Sequence, residues 1–158
     1  HSEMLAGHAG QGQGVRAAGH GWMVVGAAGC LKCYSATVHW CFSDQRALMD
    51  AEWVHQRVVR DRNRISGAGV TSGIDFALTL VAEIAGDAVA RTVQLQMEYD
   101  PEPPFSCGSP QTARPEEVAQ ARAKMAEFIA TRRAATEHAA RRLQADQLTD
   151  AGDAQQQQ

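Results

Sequence analysis

The sequence predicts an α/β protein, and three observations carry that reading. Stretches whose apolar residues recur at three- and four-residue spacing alternate with short runs of β-branched and aromatic residues. Glycine, proline and polar clusters separate them as turns and connectors. Of the 158 residues, 44% are hydrophobic, which is enough for a core. The longest apolar stretch, Trp22 to Ala28, is far short of the roughly 18 residues that a membrane-spanning helix needs. A balance of 15 Lys+Arg against 18 Asp+Glu, net −3, argues against a dedicated nucleic-acid binder.

The chain is asymmetric. Eight of its 14 glycines fall within residues 1–29, and residues 1–18 offer only Met4, Leu5 and Val15 as large apolar side chains. A segment this poor in burial is expected to be a disordered, Gly-rich leader. The opening His1-Ser2-Glu3 has no initiator Met, basic segment or apolar signal, so the front of the chain is expected to be truncated or joined. Four cysteines without a secretory signal favour reduced thiols and a cytoplasmic setting. Cys30, Cys33, His39 and Cys41 have the residue types of a zinc or redox site. Their spacing fits no common finger, so structural thiols are the simpler reading, and no cofactor is expected.

The elements follow in order. Gly21 to Leu31 is apolar on most sides, as in a buried helix. Tyr34 to Trp40, around Thr37 and Val38, suits a short strand, and Ser43-Asp44-Gln45 caps a turn carrying Ala47, Leu48 and Met49. Trp53 to Arg60 reads as a second strand and Arg64 to Ser66 as a third, joined by Asp61-Arg62-Asn63. Arg57, Arg60, Arg62 and Arg64 then form a solvated hairpin face. Thr71 or Ser72 caps a helix with Ile74, Ala77, Leu78, Val81, Ala82 and Ala85 on its apolar side, stopped by Gly86. Asp87 opens another, whose Val89, Val93, Leu95 and Met97 point at a packing partner. A Pro-rich connector from Asp100 to Pro110 cannot be helical. Pro115 starts a long helix to about Asp146, with Val118, Ala121, Met125, Phe128 and Ile129 on one side. Its stripe fades after Ile129, so the second half is expected to protrude or to rest on a partner subunit. The glutamine tract at residues 155–158 reads as a disordered tail.

Several ordered motifs carry a family resemblance. Gly26 to Gly29, Ala36 to Trp40, Arg57 to Gly67, Gly69 to Leu80 and Glu98 to Phe105 resemble the C-terminal half of the ThiJ/PfpI family, and within it isonitrile hydratases most closely. The resemblance runs from about Gly21 to Leu143. It implies a flavodoxin-like α/β sandwich, related to class I glutamine amidotransferases and usually a cytoplasmic homodimer. It also implies the boundaries 1–18 for the leader, 19–112 for the C-terminal half-domain, 113–146 for the C-terminal helix and 147–158 for the tail.

In that family a Cys sits on a tight strand-to-helix elbow, where the helix dipole lowers its pKa. The resemblance implies that this thiolate attacks an isonitrile carbon, while an acid from the N-terminal half helps to protonate and hydrate the adduct to an N-substituted formamide. The family's Cys-Thr-Gly falls on Gly19, His20 and Gly21, so the nucleophile position is occupied by glycine. The family's spacing to the next histidine supports this register, because His39 follows Gly19 by 20 residues. The strand expected before the elbow is missing from the pattern, since Gly10 to Gly14 alternates Gly and Gln. Cys30 cannot stand in for the nucleophile, because eleven residues of helix put it about 16 Å from Gly19. His20 and His39 then read as a structural pair.

Two functions from different classes follow. One is an isonitrile hydratase-like domain, with a small-molecule isonitrile as substrate and a catalytic site impaired at Gly19. The other is a non-catalytic binding or oligomerisation module that associates as a homodimer or through an exposed sheet edge. Neither involves a nucleic acid or a membrane.

Overall fold

A three-stranded sheet and a long helix enclose the core in the computed structural model, which describes residues 15–18, 21–27 and 29–156. Strand β1, Val15–Ala18, pairs parallel with β5, Arg64–Gly67, placing Ala18 opposite Gly67. Strand β4, Val58–Asp61, pairs antiparallel on the other side of β5. Arg62, at φ 51, supplies the left-handed residue that a two-residue hairpin turn needs. A second, two-stranded sheet pairs β2, Ser35–Ala36, parallel with β3, Glu52–Trp53, across the 3₁₀ segment Trp40–Met49. Side chains tie the two sheets together. The Ser35 N–H donates to Asp61 Oδ2 at 2.7 Å, and the Thr37 N–H to Ser66 Oγ at 2.9 Å.

β1 corrects the reading that no strand precedes the elbow position. Its sequence is no strong strand former, and the pairing with the buried β5 supplies what local propensity does not. Helix α1, Gly21–Ala27, ends before the expected Leu31. Gly29 takes φ 70, its N–H bonds to the Gly26 carbonyl, and the Cys30 N–H bonds to the Val25 carbonyl. That is a Schellman stop, and glycine is the residue that adopts it without strain. The expected strand from Trp53 to Arg60 is two strands in different sheets. Arg64 is not surface: it is buried, with Nε donating to the Cys30 carbonyl at 3.0 Å and its guanidinium stacked over Tyr34.

Helices α2, Ser72–Ala85, and α3, Asp87–Gln96, match their sequence signals, and α3 packs against α2 without burying all of its expected apolar positions. Val89, Leu95 and Met97 are exposed among the described residues. The expected single C-terminal helix is interrupted at Met125 into α4, Pro115–Lys124, and α5, Ala126–Gln156, which continues beyond the predicted end into the glutamine tract. Nor does its second half protrude. Thr136 and Ala140 are buried, and Arg133 pairs with Asp44. The Thr136 hydroxyl donates to Gln45 Oε1 at 3.0 Å, and Leu143 reaches Gly29.

The core has two clusters. Ala17, Val25, Cys30, Leu31 and Ala36 form one, and Trp22, Val38, Cys41 and Phe42 the other, with Trp53 packed against both. Trp22 meets Trp53 edge-to-face with centroids 5.3 Å apart. Because Trp22 is almost fully buried at this junction, Trp22→Ala is expected to cost about 3–5 kcal/mol. Chemical denaturation followed by circular dichroism measures the loss, and a midpoint close to that of the native chain would contradict the placement of Trp22 in the core.

Candidate functional site

A cleft of about 590 Å³ opens where β2, β3 and β5 end. Four chain segments wall it: Thr37–Trp40 after β2, His55–Arg57 between β3 and β4, Ala68–Ser72 between β5 and α2, and Gly108–Gln111 of the connector. Its size suits a small molecule, and crevices at the carboxyl ends of strands are where α/β proteins bind ligands. Gly19 and His20 lie outside the described residues. Their flanks are placed: Ala18 stands opposite Gly67, one residue before the cleft wall begins at Ala68, and Gly21 opens α1.

His39 is the sequence-predicted site residue that lines this cleft. It caps the 3₁₀ segment, and its Nδ1 lies 2.9 Å from the Cys41 Sγ and 3.4 Å from the Cys41 N–H. Its ring stands against Trp40 and Phe42, with centroids 5.6 and 6.1 Å away. Gly69 lies close to the ring, where a methyl group would come within 3.3 Å of His39 Cδ2. No carboxylate occurs among the described lining residues, which include His39, His55 and Arg57. Arg57 is held by Asp75 in the first turn of α2, with Nε to Oδ2 at 2.9 Å, and the Tyr99 hydroxyl donates to the other Asp75 oxygen at 3.2 Å. The hydrogen bond that Arg57 donates to Asp75 is the main cause of the raised Arg57 pKa, so the cation at the cleft edge is already partnered.

The four thiols are dispersed and none lines the cleft. Cys30 is buried beyond α1, and burial pushes its pKa up while Arg64 opposes the shift. Cys33 is exposed, at φ 60. Cys41 is completely buried, and that desolvation pushes its thiol up to about 11, against a smaller opposing effect of Arg122. Cys107 is exposed on the connector, in a neighbouring hollow of about 180 Å³ that includes Trp40 and Glu117. Of the metal candidates Cys30, Cys33, His39 and Cys41, only His39 and Cys41 meet, and no group of three or more potential ligands converges among the described residues. The sequence reading missed the His39–Cys41 bond, for which His-x-Cys was the available signal. It also missed the connector as a cleft wall and the link from Arg57 through Asp75 to Tyr99. No helix among the described residues is long and apolar enough to cross a membrane.

Comparison with known proteins gives consistent neighbours. The sequence profile of the DJ-1/PfpI family matches residues 2–83. An isonitrile hydratase from Pseudomonas putida is 48% identical over 123 residues, which is 78% of this chain and 54% of that protein. A ThiJ/PfpI family protein of known structure from Pseudomonas syringae superposes with a TM-score of 0.75 at 41% identity, covering 88% of this chain and 56% of the other. A DJ-1 superfamily protein from Salmonella typhimurium superposes with a TM-score of 0.54 at 31% identity, covering 61% and 52% of the two chains. The chain therefore spans about half the length of these relatives.

Two outcomes follow from the geometry around His39. Gly69→Ala forces the imidazole to move by a few tenths of an ångström, whereas Gly73→Ala meets nothing within 4 Å. NMR of the ring is expected to shift in the first variant only, and equal responses would contradict the close approach. The second outcome concerns pH. The folded state holds the Cys41 proton more tightly than the unfolded chain does, so this stabilisation is complete below about 9.0 and is lost as pH rises through about 11. Denaturation midpoints are expected to fall across that window in the native chain and to fall less in Cys41→Ser. Parallel declines would show that Cys41 is not the titrating group.

Proposed function

This chain belongs to the DJ-1/PfpI family, and we propose that its cleft is a small-molecule site of the isonitrile hydratase type whose turnover is impaired at Gly19. The observation that carries the reading is the cleft at the ends of β2 and β5, with His39 in its wall, in a chain 48% identical to an isonitrile hydratase. Hydrating an isonitrile requires a nucleophile that adds to the terminal carbon, a proton for the adduct, and water to complete the formamide. Glycine at position 19 offers no side chain for the first step. The described lining residues contain neither a thiol nor a carboxylate to replace it. What remains is a cleft with apolar surface from Val38, Trp40 and Val70 and hydrogen-bonding groups from Thr37, His39 and Gln56, suited to a neutral ligand with one polar end. The reading includes a reducing, cytoplasmic setting, in which the four cysteines form no disulfide.

A second reading, a non-catalytic association module, draws on a different surface. Among the described residues β1 is an edge strand, and Val70, Ile84, Leu95 and Met97 expose apolar area around α2 and α3. Light scattering tests this reading, since a module of this kind is a dimer or larger and a stable monomer contradicts it.

The catalytic reading is tested with cyclohexyl isocyanide, following N-cyclohexylformamide by chromatography. The native chain is expected to form it at the background rate, and turnover at the rate of the Pseudomonas putida enzyme would overturn the assigned impairment. Gly19→Cys is expected to restore formation above background. It should remain about 10²- to 10⁴-fold below a site that has both thiolate and acid.

A further inference from the structure

Two hollows meet at the connector between α3 and α4. The cleft of about 590 Å³ is one, and the hollow of about 180 Å³ that reaches Val118 and Ala121 on α4 is the other. Trp40, Gly108, Ser109 and Pro110 line both, so the two spaces share one indole and a three-residue strap. The strap is held in shape by its own turn. The Thr112 and Ala113 N–H groups donate to the Ser109 carbonyl at 3.0 and 2.8 Å, and the Ser109 N–H donates to the Thr112 hydroxyl at 3.3 Å. The indole is fixed as well, packed against the aromatic cluster with the Arg122 guanidinium 5.3 Å from its ring centroid. The smaller hollow is apolar in character. Trp40, Pro110, Ala113, Val118 and Ala121 give it carbon walls. Glu117 is the one carboxylate among its described lining residues, and the start of α4 engages both of its oxygens. Oε1 accepts from Arg114 Nη2 at 2.7 Å, and Oε2 accepts from the Arg114 N–H at 3.0 Å. Walls of this kind favour a hydrocarbon over a polar or ionic group.

We propose that the smaller hollow is a subsite of the cleft, which takes the hydrocarbon tail of a ligand whose polar end lies in the cleft. The ligands it favours are then isonitriles and formamides with an extended alkyl chain, over compact ones. This rests on the small-molecule reading of the cleft given above. A tail leaving the cleft passes Trp40, an apolar side chain common to both spaces, and ends against Val118 and Ala121. The limited volume of the hollow sets an upper bound on the chain length that gains from it.

The full chain carries a reporter and a control for this subsite. Cys107 and Cys33 are both exposed, and of the two only Cys107 lines the hollow. Alkylation by iodoacetamide, followed by mass spectrometry of the two cysteine peptides, is measured with saturating N-propylformamide or N-octylformamide. The octyl compound is expected to slow Cys107 and leave Cys33 unchanged, and the propyl compound to slow neither. Calorimetry of the linear N-alkylformamides from propyl to octyl is expected to show affinity rising about two- to fourfold per methylene until the hollow is filled. Ala121→Phe, which fills the hollow from α4, is expected to flatten that rise. Formamides that bind equally at every chain length and leave Cys107 unprotected overturn the subsite while the cleft reading stands. Affinity that climbs with chain length while Cys107 stays unprotected places the tail elsewhere and also overturns it. 1-Octanol separates the two claims from the other direction. If octanol protects Cys107 and no formamide binds, the cleft reading fails and the hollow remains an alkyl site, whereas protection by neither removes both.

Discussion

The parallel pairing of β1 with β5 is the constraint on which the remaining structure depends. Parallel neighbours end on the same side of a sheet, and the connections leaving them start helices there. Ala18 opposite Gly67 therefore brings the starts of α1 and α2 to one end of the sheet. The segment Ala68–Ser72, which leaves β5, becomes a wall of the cleft, and α1 opens at Gly21 shortly after β1 ends. β4, on the opposite flank, closes the sheet by an antiparallel hairpin and contributes nothing to that end except Arg57 just before it.

The aromatic cluster makes the placement rigid. Trp22 on α1, Phe42 on the 3₁₀ segment and Trp53 on β3 come from three separate elements, and the edge-to-face contact of Trp22 with Trp53 joins the two halves of the core. Cys41 lies within the same cluster. The residue that bonds His39 is thus immobilised by hydrophobic packing, and the polar geometry of the cleft wall inherits its precision from apolar neighbours.

Much of the fold was legible in the sequence. The α2 boundaries followed from Thr71 or Ser72 and from Gly86, although the Thr71 N-cap makes no side-chain capping bond and the Ser72 hydroxyl donates to the Gly69 carbonyl. The β4–β5 hairpin followed from a polar turn between β-branched runs. The family was legible from ordered motifs. The reading failed where small or polar residues carry the packing. The Thr136–Gln45 bond and the burial of Ala140 seat α5 on its own chain, yet a stripe of large apolar residues is absent from that half of the helix. Arg64 looked like a surface cation because charge suggests solvent, but a carbonyl acceptor and the face of Tyr34 hold it inside.

The sequence by itself determined the α/β class, the stop at Gly86, the family, and the glycine at position 19, since each depends on residue identity within a few neighbours or on an ordered motif. Only the tertiary structure decided that β1 is a strand, that the connector Gly108–Gln111 faces His39 across a cleft, and that Cys41 bonds an imidazole instead of joining a cluster of thiols. The physical reason is common to all three. Burial and pairing between segments distant in sequence outweigh weak local preferences, and their partners become known only when the chain has been brought together.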